Sequence, residues 1–230
     1  NFFTKSNSPT ILKTRYLDHY KKSKMLGIYN INDETINNKE EVKFFKFLKK
    51  NLNKYDIIIV NDYGHGIITS KIRNLFSIYK DKFFLNTQIN SFNRGYHTVY
   101  KYKKINSLVI NESELRYETS DRNSNLINLA KKIREKINIK NIVVTRGNLG
   151  CVLIDSANKV YECPAFNNKS IDTIGAGDTF FALSSMCFGS KIDNYISLLI
   201  SSLAAGHSAN QLGNIDIFNS NILIKQLSHI

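Results

Sequence analysis

The chain has 230 residues, enough to bury one substantial core. With 42% hydrophobic and 22% charged residues, two prolines and 11 glycines, it is neither disordered, collagen-like nor a proline-rich linker. The net charge of +13 raises nucleic acid or an anionic membrane as partners, but the lysines are scattered and Asn and Ile are just as over-used, each roughly an eighth of the chain, so the charge reads as compositional bias and neither partner is expected.

In chain order, residues 10–18 and 25–30 alternate polar and apolar around a Lys-rich turn and predict a β-hairpin. Residues 40–52 have the spacing of an amphipathic helix, with Val42, Phe45 and Leu48 on one face. Residues 55–60 are a nearly continuous apolar run, the mark of a strand buried on both faces. A helix over 69–79 follows, with Ile72, Leu75, Phe76 and Tyr79 sharing a face and Thr69 or Ser70 as its cap. Short strands at 83–85 and 107–110, a helix at 126–137 and a strand at 141–145 continue the alternation. A hairpin over 150–155 and 159–162 precedes three closing helices at 175–188, 194–211 and 220–228. Such βαβα order predicts an α/β fold, a mostly parallel sheet with helices on both faces.

Cys151, Cys163 and Cys187 form no CxxC pair and no zinc spacing, which fits reduced thiols in a cytoplasmic protein. Cys151 and Cys163 either face each other across the hairpin or simply pack in the core. The most apolar stretch, 174–205, is interrupted by Asp178, Lys191 and Asp193, so it predicts no single membrane span.

In parallel α/β sheets ligands bind beyond the carboxyl ends of the strands. Four polar or Gly-rich turns stand at those places here: Asn61-Asp62-Tyr63-Gly64-His65-Gly66, Asn111-Glu112-Ser113-Glu114, Thr145-Arg146-Gly147-Asn148-Leu149-Gly150, and Asp172-Thr173-Ile174-Gly175-Ala176-Gly177-Asp178. The last opens an apolar helix starting near Thr179 and Phe180. A helix start offers unsatisfied N–H groups and partial positive charge, and small residues let an anion reach them. Asp178 in that turn suits a base acting on a hydroxyl beside a phosphate; a plain Gly-rich turn with a dipole-favoured Asp is the other reading. Phe180 breaks the dinucleotide fingerprint, and no P-loop motif occurs.

The closing motif at 172–178, the Asn-x-x-Glu element at 111–114 and Thr145-Arg146-Gly147 with Gly150, in this order and spacing, resemble the ribokinase-like (PfkB) carbohydrate kinases. Asp62-Tyr63-Gly64 and the 10–15 strand are most similar to the heptose-phosphate kinase domain of ADP-heptose synthases. The resemblance implies a three-layer α/β/α sandwich and ATP-dependent transfer of a phosphoryl group to a hydroxyl of a sugar or sugar phosphate. It makes Asp178 the base and the N–H groups of Gly175, Ala176 and Gly177 an anion hole. It gives Asn111 and Glu114 to Mg²⁺ through water, with a helix-capping box as their other reading. Thr145, Arg146, Gly147, Gly150 and Asn210 would lie along ATP, and Asp62, Tyr63 and Gly64 at the sugar. A monovalent cation is expected near Asp172, and a homodimer through the lid.

The sequence departs from the family in three places. His65 stands where a Lys is common, the segment 86–96 is unusually long and Asn-rich, and the family's opening strand and Gly-rich sugar segment are not found. Residues 1–30 are therefore expected to be a residual lid hairpin, and 31–230 the C-terminal nucleotide and catalytic part of the kinase domain. The alternative is a non-catalytic nucleotide-binding or scaffolding fragment. An attached nucleotidyltransferase activity lacks its H-x-G-H element here.

Overall fold

The computed structural model describes residues 1–20, 24–90, 93–166, 172–211 and 218–228. Strands β1 (Leu12–Leu17) and β2 (Lys24–Asn30) pair antiparallel as a separate two-stranded sheet, with Leu12 opposite Asn30 and Tyr16 opposite Leu26. The Lys-rich turn expected between them, at 21–23, lies outside the described residues. Helix α1 (Asn38–Asn51) opens on a capping box in which Asn37 Oδ1 accepts the Glu40 N–H at 3.0 Å and Glu40 Oε2 accepts the Asn37 N–H at 2.9 Å.

The main sheet begins with β3 (Ile58–Asp62), followed by α2 (Ser70–Ile78), β4 (Phe83–Thr87), β5 (Ile105–Asn111), α3 (Glu112–Thr119), α4 (Leu126–Ile137) and β6 (Ile139–Thr145). Strands β7 (Cys151–Ile154) and β8 (Val160–Cys163) form the expected hairpin, and α5 (Ala176–Gly189), α6 (Asn194–Ala209) and α7 (Ser220–Leu227) close the chain. The six strands lie in the order in which they occur, with β3 to β6 parallel and β7 and β8 antiparallel. β3 extends beyond its apolar run to the polar Asn61 and Asp62, which stay in register with Asn86 and Thr87 of β4.

Successive strand residues point to opposite faces, and here both faces are buried. Phe83, Leu85, Leu108 and Ile110 join Ile72, Phe76, Leu129 and Ile133 of α2 and α4 in one core. Phe84, Val109 and Val143 face Phe180, Phe181 and Leu198 of α5 and α6 in the other. This is a three-layer α/β/α sandwich. At the carboxyl end of the sheet, Asp62 stands beside Thr87, and Asn111 beside Thr145.

Candidate active site

The site is organised around the start of α5. Its N-cap, Gly175, has φ 85°, a left-handed conformation that an L side chain strains to adopt, and no side chain caps the helix. The first N–H groups of a helix have no intrahelical acceptor. Here the Ala176 N–H is turned to the Thr173 carbonyl at 3.3 Å, so of the expected anion-hole groups this one is engaged within the chain. The helix starts at Ala176, within one residue of the expected span 175–188, which makes Asp178 its third residue.

Asp178 is held from two strand ends. Its Oδ1 accepts hydrogen bonds from Asn61 Nδ2 at 2.8 Å, Gln88 Nε2 at 3.1 Å and the Tyr63 hydroxyl at 3.4 Å. Asn61 is the penultimate residue of β3 and Gln88 follows the end of the adjacent parallel strand β4, so both amides come from the carboxyl end of the sheet. Among the described residues Oδ2 takes no hydrogen bond, so one oxygen is clamped and the other is left to the cavity. Burial, and after it the Asp178 charge, raises the Tyr63 hydroxyl above its ordinary value, which keeps it a donor.

The loop after β3 is itself braced. Asp62 Oδ1 accepts the Gly64 N–H at 2.9 Å, Oδ2 accepts the hydroxyl of Tyr102, and His97 Nε2 lies 3.2 Å from the Asp62 carbonyl. Asn93 Nδ2 donates to the carbonyls of Tyr63 at 2.9 Å and Gln88 at 2.8 Å. The Asn-rich segment, apart from 91–92 outside the described residues, thus ties the Tyr63 loop to the end of β4. Gly64 has φ 72°, and a Cβ there would sit 2.7 Å from Asn93 Nδ2. His65 Nδ1 lies 2.8 Å from Asp33 Oδ1, and its ring stacks on Tyr63 with centroids 6.4 Å apart.

Two cavities adjoin beside Asp178, which lines the first of them. The one in front, about 650 Å³, is bounded by Tyr63, His65, Gln88, Glu114 and Asp178, with Lys13 and Arg15 of β1 on its outer side. The other, about 440 Å³, runs behind α5 between the β6–β7 turn and α6, where Gly147, Gly150, Cys151, Phe180, Ser202 and Gly206 line it. Asn111, Thr145, Thr173 and Gly177 line both. A Cβ added to Gly177 would meet no protein atom within 4 Å, so the space its missing side chain leaves is open to a ligand.

The remaining residues singled out from the sequence are distributed unevenly. Asp62 and Gly64 border a different cavity of about 710 Å³ on the far side of their loop, with Arg73 and Lys101; of that trio only Tyr63 reaches Asp178. Asn111 and Glu114 form a capping box on α3, and Glu114 also accepts the Ile89 N–H at 3.2 Å. Burial raises the Glu114 carboxyl above its ordinary range. Arg146 is drawn aside, its Nε 3.1 Å from Glu112, a carboxylate that also pairs with Arg116 at 2.8 Å. Gly150 has φ 81°, and a Cβ there would lie 2.0 Å from the Cys163 carbonyl oxygen, so this glycine serves the packing of β7 on β8. Asn210 is exposed at the C-terminal end of α6 and does not line the 440 Å³ cavity. Asp172 Oδ1 accepts the Ile174 N–H at 3.0 Å, and the segment before it, 167–171, lies outside the described residues. Sequence reasoning missed Asn61 and Gln88 as holders of Asp178. Their one visible signal is a polar residue at the end of an apolar strand.

A six-stranded sandwich with a carboxylate at a glycine-capped helix start has the ribokinase-like fold. Arabidopsis thaliana ribokinase complexed with ribose and ATP superposes with a TM-score of 0.71 at 16% identity, over 96% of this chain and 70% of that one. Escherichia coli phosphofructokinase-2 in complex with potassium gives 0.69 at 15% identity, over 89% and 66%. Within that fold the chain belongs to the pfkB family carbohydrate kinases, whose profile matches residues 24–187. Among curated relatives, the bifunctional protein HldE of Aliarcobacter butzleri is 27% identical over 218 residues, and that of Campylobacter jejuni serotype O:2 is 21% identical over 220. These alignments cover 93% and 94% of this chain but 44% and 46% of the relatives, so the chain spans less than half their length.

Proposed function

We propose that this chain carries the phosphotransfer centre of an ATP-dependent sugar kinase, moving the γ-phosphoryl group of ATP to a hydroxyl of a sugar or sugar phosphate, a heptose phosphate foremost. The observation that carries the reading is the clamped Asp178 carboxylate, with Oδ1 taken by Asn61, Gln88 and Tyr63 and Oδ2 open, in the front cavity next to its junction with the one behind α5. The cavity behind α5 suits ATP, and the one under β1 suits the acceptor.

Asp178 Oδ2 takes the proton of the acceptor hydroxyl as that oxygen attacks the γ-phosphorus; the bond to the β-phosphate oxygen breaks and ADP leaves. The clamp on Oδ1 holds the carboxylate in one orientation, which limits the reorganisation needed at the reacting atom. The N–H groups of the first α5 turn, with Gly177 admitting a phosphate close to them, stabilise charge on the transferring group. Asn111 and Glu114 supply only oxygen donors, the buried Glu114 carboxyl being held by backbone N–H groups, and this set fits Mg²⁺ bound through its own waters and ATP. That ion would neutralise phosphate charge. Lys13 and Arg15 lie where an anionic substituent of the acceptor would be met.

The reading carries a cytoplasmic location with it, where ATP is available; among the described residues no helix is long and apolar enough to cross a membrane. It also carries a homodimer through the β1–β2 sheet, whose Leu12, Tyr16, Met25, Leu26 and Ile28 are exposed. The test is ADP release from Mg-ATP against a panel of hexoses, pentoses and heptose phosphates, run beside Asp178→Asn. Turnover on one member that falls about 10³-fold in the variant, with ATP affinity kept, is expected. Equal turnover in Asp178→Asn removes the base, and Mg-ATP binding without turnover on any sugar favours the non-catalytic alternative.

A further inference from the structure

The cavity behind α5 has a chemically reactive wall that the phosphotransfer does not use. Cys151, the first residue of β7, lines it, and Cys163, the last residue of β8, is its direct cross-strand partner. Both are buried, at 3% and 2% exposure, and both side chains point into the core under α5 and α6. Cross-strand Cα partners stand about 4.5–5.5 Å apart, inside the window of about 4.4–6.8 Å that a disulfide spans. The two strands have little freedom to separate here, because the Gly150 backbone is packed against the Cys163 carbonyl. Cys151 Sγ also lies 3.6 Å from Ser202 Oγ, on another wall of the same cavity.

We propose that Cys151 and Cys163 form an oxidisable dithiol in this wall, converted to an intrachain disulfide by a hydroperoxide that enters the cavity. The Cys151 thiol donates to the Cys163 sulfur, which lowers Cys163 below the ordinary thiol value and raises Cys151, so thiolate character gathers on Cys163. That thiolate attacks one peroxide oxygen, the O–O bond breaks, and hydroxide (or alkoxide) leaves, giving a sulfenic acid. The Cys151 sulfur then attacks the sulfenic sulfur; its proton leaves with the displaced hydroxide as water. Two thiols and one hydroperoxide thus give one disulfide, one water and a second water or an alcohol. Cys187, also buried on α5, faces no second thiol and has no such route.

The functional consequence rests on the kinase reading of the cavity. A nucleotide seated there covers Cys151, the member of the pair that lines the cavity, so oxidation and nucleotide binding oppose one another, and a bridged wall binds nucleotide less well.

The experiment treats the chain with hydrogen peroxide and maps its peptides without reduction. A linked pair containing Cys151 and Cys163 is expected; it is lost on reduction, retained in Cys187→Ala and absent in Cys163→Ser. No linkage at peroxide concentrations that oxidise an unfolded control of the same chain, or linkage through Cys187, overturns the proposal. Mg-ATP at a concentration filling nine-tenths of the sites should slow linkage about tenfold. Linkage at an unchanged rate upholds the dithiol and refutes the nucleotide reading of the cavity.

Discussion

Asp62 offers the sharpest test of how the site is built. Its carboxylate is 5% exposed and shares its Oδ2 with the hydroxyl of Tyr102, itself 1% exposed, while Oδ1 holds the turn at Gly64. Tyr102→Phe removes one oxygen and leaves the ring packed on Phe83. The carboxylate then loses the donor held at its Oδ2. A hydrogen bond to a charged group contributes about 1.5–3 kcal/mol, so a loss of about 2 kcal/mol is expected. For a chain of this size that is a fall of about 4–8 °C in melting temperature. Burial, and then the Asp62 charge, raises the Tyr102 hydroxyl far above its ordinary value, so it remains a donor across neutral pH and the loss should not vary there. A double-mutant cycle with Asp62→Asn, read by thermal unfolding, should return a coupling of about 1.5 kcal/mol. A loss below about 0.5 kcal/mol, or strict additivity, refutes the bracing role. A direct substrate contact at Asp62 would instead raise KM for the sugar and leave the melting temperature unchanged.

Three further outcomes are expected. Gly177→Ala should stabilise α5 by about 0.5–1 kcal/mol, since its Cβ meets no protein atom, yet weaken ATP binding about tenfold in calorimetry; a more stable variant with unchanged affinity refutes the phosphate's place. Gln88→Leu removes one donor from Asp178 and should lower kcat about tenfold with KM for ATP unchanged, and an unchanged kcat would show that the clamp is idle. Glu112→Gln tests pH dependence. Arg116, and after it Arg146, holds this carboxyl below its ordinary 4.5, so its contribution is present above that pH and is lost as pH falls through the lowered value. The variant should be about 1 kcal/mol less stable than wild type near pH 7 and equal to it in strong acid, and a gap that persists in acid would contradict the assignment.

The layered fold was legible because both cores are written as alternation. Phe83-Phe84-Leu85 sends one ring to α5 and two side chains to α2 and α4, and the helix at 126–137 was bounded to the residue. Helix α3 was visible only as a capping box at Asn111 and Glu114, since its mixed polar face carries little periodicity and Leu115 alone is buried. Asp178 and the glycines before it were legible because a helix start has a local signature. The clamp was not, because joining Asn61 and Gln88 to Asp178 needs the order of strands, and residues 117 and 90 positions apart leave no local trace. Arg146 and Asn210 show what a motif leaves open. A motif fixes where the backbone goes, but Glu112 captured the Arg146 side chain and the end of α6 left Asn210 exposed.

The partition of the two cavities also bears on how such a protein changes over generations. Asn111, Thr145, Thr173 and Gly177 belong to both compartments, whereas Lys13, Arg15 and Gln88 belong to one. On the kinase reading, a substitution among the shared residues would alter the sites of both reactants together. On the same reading, a substitution on the β1 rim would change one compartment alone, so preference among acceptors could be altered there while the helix start is left as it is.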